Sequence, residues 1–221
     1  MDEFFKMIFS SETAAKMASL LLQIKAIKLS PNSPFTWSSG WKSPIYCDNR
    51  LTLSYPEIRT FIKENFAAII REKFPQTELI AAVATAGIAH GAIVAEFLET
   101  PFCYVRSSAK DHGLKNRIEG LLVPGQKTFV VEDLLSTAGS SLNVIEALRE
   151  AGAEVIGLSA IFTYGFPVAD DAMRIASVPF FTLTDYENLL PVAVEQGVIR
   201  ENELQELKQW RGSPETWRVS G

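Results

Sequence analysis

The chain has 221 residues, 47% of them hydrophobic, and a formal net charge of −5. That length and apolar content suit a globular α/β protein with a buried core, and the acidic balance argues against general nucleic-acid binding. Cys47 and Cys103 have no metal or disulfide spacing, no apolar run approaches the roughly 18 residues of a membrane span, and Asp2 and Glu3 stand where a secretory signal would be basic; a cytoplasmic protein with no membrane partner is expected.

In chain order, Ser11 is expected to cap a helix whose apolar stripe is Ala14, Met17, Ala18, Leu21 and Ile24. Residues 30–56 carry Pro31, Pro34, Pro44 and Pro56 with several serines, the composition of loops and short strands. A helix over 56–73 presents Ile58, Phe61, Ile62, Phe66, Ile69 and Ile70. Strand and helix patterns then alternate. Strands are expected at 79–84, 102–105, 128–132, 155–162 and 180–183, and helices at 88–98 and 142–151, the latter stopped at Gly152. The run 185–210 is expected to be helical with a mixed charged face. Such alternation implies right-handed βαβ units, hence a mainly parallel twisted sheet flanked by helices. Ligands on such sheets sit beyond the carboxyl ends of the strands. With no repeat or linker in view, residues 1–221 are expected to form a single domain, with the core sheet over about 79–183.

The most informative stretch is 128–141, TFVVEDLLSTAGSS. An apolar strand ends in adjacent acids, Glu132 and Asp133, and Leu134 and Leu135 lead into a loop of small and hydroxyl residues, Ser136, Thr137, Ala138, Gly139 and Ser140. A helix follows. Loop N–H groups and the helix dipole suit a phosphate. The carboxylates suit either vicinal sugar hydroxyls or a metal shared with a diphosphate. Together they fit a ribose 5-phosphate, although a strand ending in Asp before a Ser/Thr-capped helix is also common without any ligand. The loops GxxxxGK[ST] and GxGxxG do not occur.

Residues 107–120, SSAKDHGLKNRIEG, lack apolar anchors and carry Lys110, His112, Lys115 and Arg117. A polar connection this long is a solvated surface loop or a functional lid; as a lid it brings cations onto a diphosphate and excludes water. Residues 84–87, ATAG, suit either close backbone approach to a diphosphate or a plain strand-to-helix turn. His90 is expected to be structural.

The segment 128–141 resembles the phosphoribosyl diphosphate (PRPP) motif of the type I phosphoribosyltransferases. Two further segments are similar to the orotate branch of that family: 104–113, YVRSSAKDHG, to its catalytic loop, and 35–46, FTWSSGWKSPIY, to its N-terminal segment. The resemblance spans about residues 35–165. It implies the type I phosphoribosyltransferase fold, with about residues 1–55 contributing a small hood over the base. It implies transfer of phosphoribosyl from PRPP to orotate, giving orotidine 5′-monophosphate and diphosphate with Mg²⁺ held mainly through PRPP, in de novo pyrimidine synthesis. Carried over residue by residue, Asp133, Lys110 and His112 are the catalytic candidates. Arg106, Lys110, His112, Glu132, Asp133 and the run 134–140 are the PRPP-binding ones. Ser136 aligns with a hydroxyl that contacts orotate, and Lys42 either meets the orotate carboxylate or makes a surface ion pair. A homodimer with shared active sites is implied.

Some members have lysines where Ser38, Ala86 and Ser107 stand, and an orotate-contacting arginine near Tyr164; Ala138 takes a place more often filled by Gly. The competing expectations are another purine or pyrimidine phosphoribosyltransferase, or a PRPP-binding regulator on the same fold.

Overall fold

A strand buried on both faces needs helices on both sides, and the alternation along this chain supplies them. A computed structural model describes residues 6–37, 39–106 and 117–217. The N-terminal third runs β1 (Lys6–Ile8), α1 (Ser11–Gln23), β2 (Ile27–Leu29), β3 (Phe35–Thr36), β4 (Lys42–Ser43), β5 (Ile45–Cys47), a 3-10 helix at Asn49–Ser54 and α2 (Pro56–Lys73). The rest runs β6 (Leu79–Val83), α3 (Gly87–Leu98), β7 (Phe102–Val105), β8 (Ile118–Glu119), β9 (Lys127–Leu135), α4 (Gly139–Glu150), β10 (Glu154–Thr163), α5 (Pro167–Ile175), β11 (Phe180–Asp185), α6 (Tyr186–Glu195), a 3-10 turn at Glu201–Glu203 and α7 (Leu204–Gly212).

The main sheet has the order β1-β11-β10-β9-β6-β7-β8. Every pairing is parallel except β7 with β8. Alternation along β9 splits the core. Phe129 and Val131 join Met17, Leu21, Phe66, Ile69 and Phe181 on one face. Val130 joins Val144, Leu148, Leu158 and Met173 on the other. All five residues of β6 are buried, as a strand covered on both faces requires.

Residues 27–47 form two antiparallel two-stranded sheets, β2 with β5 and β3 with β4. Aromatic packing fastens them to the body. Trp37 lies 5.0 Å from Tyr164 and 5.6 Å from Trp210, centroid to centroid. The Trp210 indole donates to the Lys42 carbonyl at 3.2 Å, so α7 clamps the hairpin to the sheet.

Several elements differ from expectation. Ser10, not Ser11, caps α1: its backbone is extended and its side chain accepts from the Thr13 N–H. The strand β9 runs to Leu135 rather than stopping at Glu132, because β10 continues beside it to Thr163. The helix α4 begins at Gly139, three residues early. The expected C-terminal helix is two, α6 and α7, parted at Gly197 in the left-handed region (φ +67°). The strands β1 and β8 were not expected, since three and two residues are too few to show a period, and neither was the nine-residue helix α5.

Candidate functional site

Three βα connections meet at the carboxyl edge of the sheet. At the centre, β9 carries the acid pair. Glu132 is 3% exposed. Its Oε1 accepts the Asp133 N–H at 3.0 Å, and its Oε2 accepts the hydroxyls of Ser140 and Ser141 at 3.4 and 3.3 Å. Burial, and then the adjacent Asp133, push the Glu132 carboxyl well above its ordinary range. Burial also raises Asp133, opposed by the hydrogen bond from Glu132 and the charge of Arg50. Burial thus makes both carboxyls of the pair bind protons more readily than free carboxylic acids do.

The loop Ser136–Thr137–Ala138 turns the chain into α4. Ala138 is buried and left-handed (φ +67°, ψ 1°), which explains why glycine suits this position. Gly139 and Ser140 lie in the first turn of α4. Leu134 lines a pocket, whereas the Leu135 side chain is fully buried and its carbonyl accepts from the Thr163 hydroxyl. Leu135 therefore offers nothing but backbone to this edge.

The segment 84–87 enters α3 at Gly87, and the Ala84–Thr85 peptide is cis. A Cβ on Gly87 would lie 2.7 Å from the Val131 carbonyl oxygen, so glycine alone lets α3 start against β9. Neither α3 nor α4 has a side-chain cap, in contrast to α1 and α6, which are capped by Ser10 and Asp185. Two helix starts beside one acid pair thus keep backbone donors available to an anion.

Over this edge lies a pocket of about 620 Å³ lined by Trp37, Trp41, Tyr46, Tyr164 and Ser136, among others. Lys42 stands at its margin, its Nζ donating to Thr36, which lines the pocket, at 2.8 Å. A slightly larger cavity lies between α6 and α7, lined by residues 186–211 and far in sequence from every motif; the chemistry gathers at the smaller one. Arg106 follows β7, with Nε 3.3 Å from Glu119. Its N–H donates to the Arg117 carbonyl, and the Arg117 guanidinium binds Asn143 on α4. These contacts fasten Arg106 to Arg117 and Arg117 to α4. Lys110, His112 and that segment lie outside the described residues, as does Ser38.

The phosphoribosyl transferase domain family matches residues 53–165 of this chain. The orotate phosphoribosyltransferase of Bacteroides fragilis is 56% identical over 202 residues, covering 91% of this chain and 95% of that one. The orotate phosphoribosyltransferase of Bacillus caldolyticus is 55% identical over 201 residues, covering 91% and 97%. This chain belongs to the orotate phosphoribosyltransferase family. In fold it is similar to the crystal structure of orotate phosphoribosyltransferase from Aeropyrum pernix, with a TM-score of 0.70 at 24% identity over 82% of this chain and 98% of that one.

Among orotate phosphoribosyltransferase candidates read from the motifs, the structure brings Glu132, Asp133, Ser136, Thr137, Gly139 and Ser140 together, with Lys42 at the rim. His90 is buried on α3, where burial and then Arg59 lower its pKa to about 4. Sequence reasoning missed Asn49, which is 1% exposed and donates to the Asp133 carbonyl at 2.7 Å. A single asparagine in a loop carries no periodic or motif signal. It also passed over Cys47 as a pocket residue.

No group of three His, Cys, Asp or Glu side chains that could hold a metal occurs among the described residues. With the Glu132 carboxylate engaged by its own chain, Asp133 is the acid available at the strand end. That donor set fits a magnesium ion carried mainly by the oxygens of a diphosphate, as such ions commonly are.

Proposed function

We propose that this member of the orotate phosphoribosyltransferase family transfers the phosphoribosyl group of PRPP to N1 of orotate, giving orotidine 5′-monophosphate and diphosphate in de novo pyrimidine synthesis. The observation that carries the reading is the acid pair of β9 set between two uncapped helix starts and beneath an aromatic pocket. In this reading α4 and the loop 136–140 hold the 5-phosphate. The start of α3 holds diphosphate oxygens. The pocket takes the flat base against Trp37, Tyr46 and Tyr164, with Ser136 and Lys42 as its polar contacts.

As the C1–O bond to diphosphate breaks, positive charge grows on the sugar. Asp133 supplies negative charge on the ribose side, and Glu132, whose carboxyl accepts the Asp133 N–H, orders it. N1 of orotate then bonds to C1 and gives up its proton, while diphosphate leaves with the electron pair of the broken C1–O bond and takes up that proton. Bound magnesium neutralises diphosphate charge. Arg106, Lys110 and His112 serve the same leaving group from the segment that β7 and β8 anchor. A homodimer with each segment reaching its neighbour's site, a single domain with residues 1–55 as hood, and a cytoplasmic location belong to the same proposal.

The test is to incubate the protein with PRPP, Mg²⁺ and, in parallel, orotate, uracil, adenine or hypoxanthine. Turnover of orotate alone is expected. Preference for another base would overturn the substrate assignment, and PRPP binding without turnover of any base would point to a regulator.

A further inference from the structure

We propose that Asn49 is a positioning residue that sets the orientation of Asp133, an inference that rests on the transfer proposed above. The strand β6 pairs with β9 only as far as Ala82 opposite Val131, whereas β10 follows β9 to Leu135. Asp133 therefore stands where β9 has lost one neighbour, between Glu132 and Leu134, which lie opposite Ala160 and Phe162 of β10. In a parallel ladder alternate residues turn their N–H and C=O to alternate neighbours. The backbone of Asp133 faces the vacated side, and two side chains replace the missing strand. The Glu132 carboxylate accepts its N–H at 3.0 Å, and the Asn49 amide donates to its C=O at 2.7 Å.

Asn49 is itself held by two neighbours. Its Oδ1 accepts the Cys47 thiol at 3.3 Å, and its carbonyl accepts the Thr52 hydroxyl at 2.6 Å. The Thr52 hydroxyl also lies 3.2 Å from His90 Nε2. With the Thr52 hydrogen given to Asn49, the imidazole must donate through Nε2. The chain His90–Thr52–Asn49–Asp133 thus joins α3 and the 3-10 helix to the acid pair. An Asp133 peptide free to rotate would carry its carboxylate away from the ribose, and misplacement of about 1 Å can cost about a hundredfold in rate.

The experiment is a double-mutant cycle on the full-length protein. Asn49→Leu removes the donor at similar volume, and Asn49→Ser, too short to reach the Asp133 carbonyl, is the second variant should the first melt early. Either is expected to lower kcat at least about tenfold while KM for PRPP and orotate stay within about threefold, the pattern of a group acting in the transition state. In an Asp133→Asn background the same change should alter kcat by less than about twofold, because Asn49 acts through Asp133. Multiplicative losses, or a rise in KM with kcat unchanged, would overturn the positioning role while leaving the transfer reading intact. A wild-type protein that turns over no base would overturn both.

Discussion

Acidification from pH 7 to pH 4 should remove about 3 kcal/mol of stability through His90 alone. His90 is 2% exposed, and its pKa falls from 6.5 to about 4, because burial and then the Arg59 charge disfavour the imidazolium. The unfolded chain binds a proton near 6.5 and the folded one does not until about 4, so stability is full above the unfolded value and declines as pH falls through that window. At about 1.4 kcal/mol per pH unit the window is worth about 3 kcal/mol. The comparison is His90→Gln, whose amide can keep the bond to Thr52 without titrating. Urea denaturation of both proteins at intervals from pH 7 to 4 isolates this residue, because the carboxylates titrate alike in both. The wild type should lose about 3 kcal/mol more than the variant. Parallel curves would refute the assignment of a buried neutral imidazole.

Three further outcomes are expected. Asp133→Asn should reduce kcat roughly 100-fold or more, with KM for PRPP within about threefold, measured by steady-state kinetics on a folded variant; near-normal turnover would remove this acid from the mechanism. Gly87→Ala places a methyl 2.7 Å from a backbone oxygen and should cost about 2 kcal/mol, a fall of about 6 °C in Tm, together with weaker PRPP binding by calorimetry. Mixing Lys110→Ala/His112→Ala protein with Asp133→Asn protein under subunit exchange should restore about a quarter of wild-type activity, since half the dimers are mixed and each has one intact site; exchange without recovery would mean each segment serves its own site.

The sequence by itself carried the chemistry and the layout. The runs at 79–84, 102–105 and 128–132 were legible as strands: β6 and the stretch 128–132 of β9 are buried on both faces, β7 is fully buried on one face only, and α2 follows its apolar stripe from Pro56 to Lys73. The acid pair and the small-residue loop were legible because their types and spacing are local. What needed the tertiary structure is everything set by a neighbour distant in the chain. The strand β1 exists through its pairing with β11, about 174 positions away, and β9 gains its last residues from β10. The roles of the two acids part only in space: Ser140 and Ser141 close on Glu132, while Asn49, 84 residues from Asp133, holds its carbonyl. Local pattern encodes which groups are present and on which face they lie. That burial raises both carboxyls, and which partners each acid keeps, follows from the fold, which alone brings those partners within hydrogen-bonding distance.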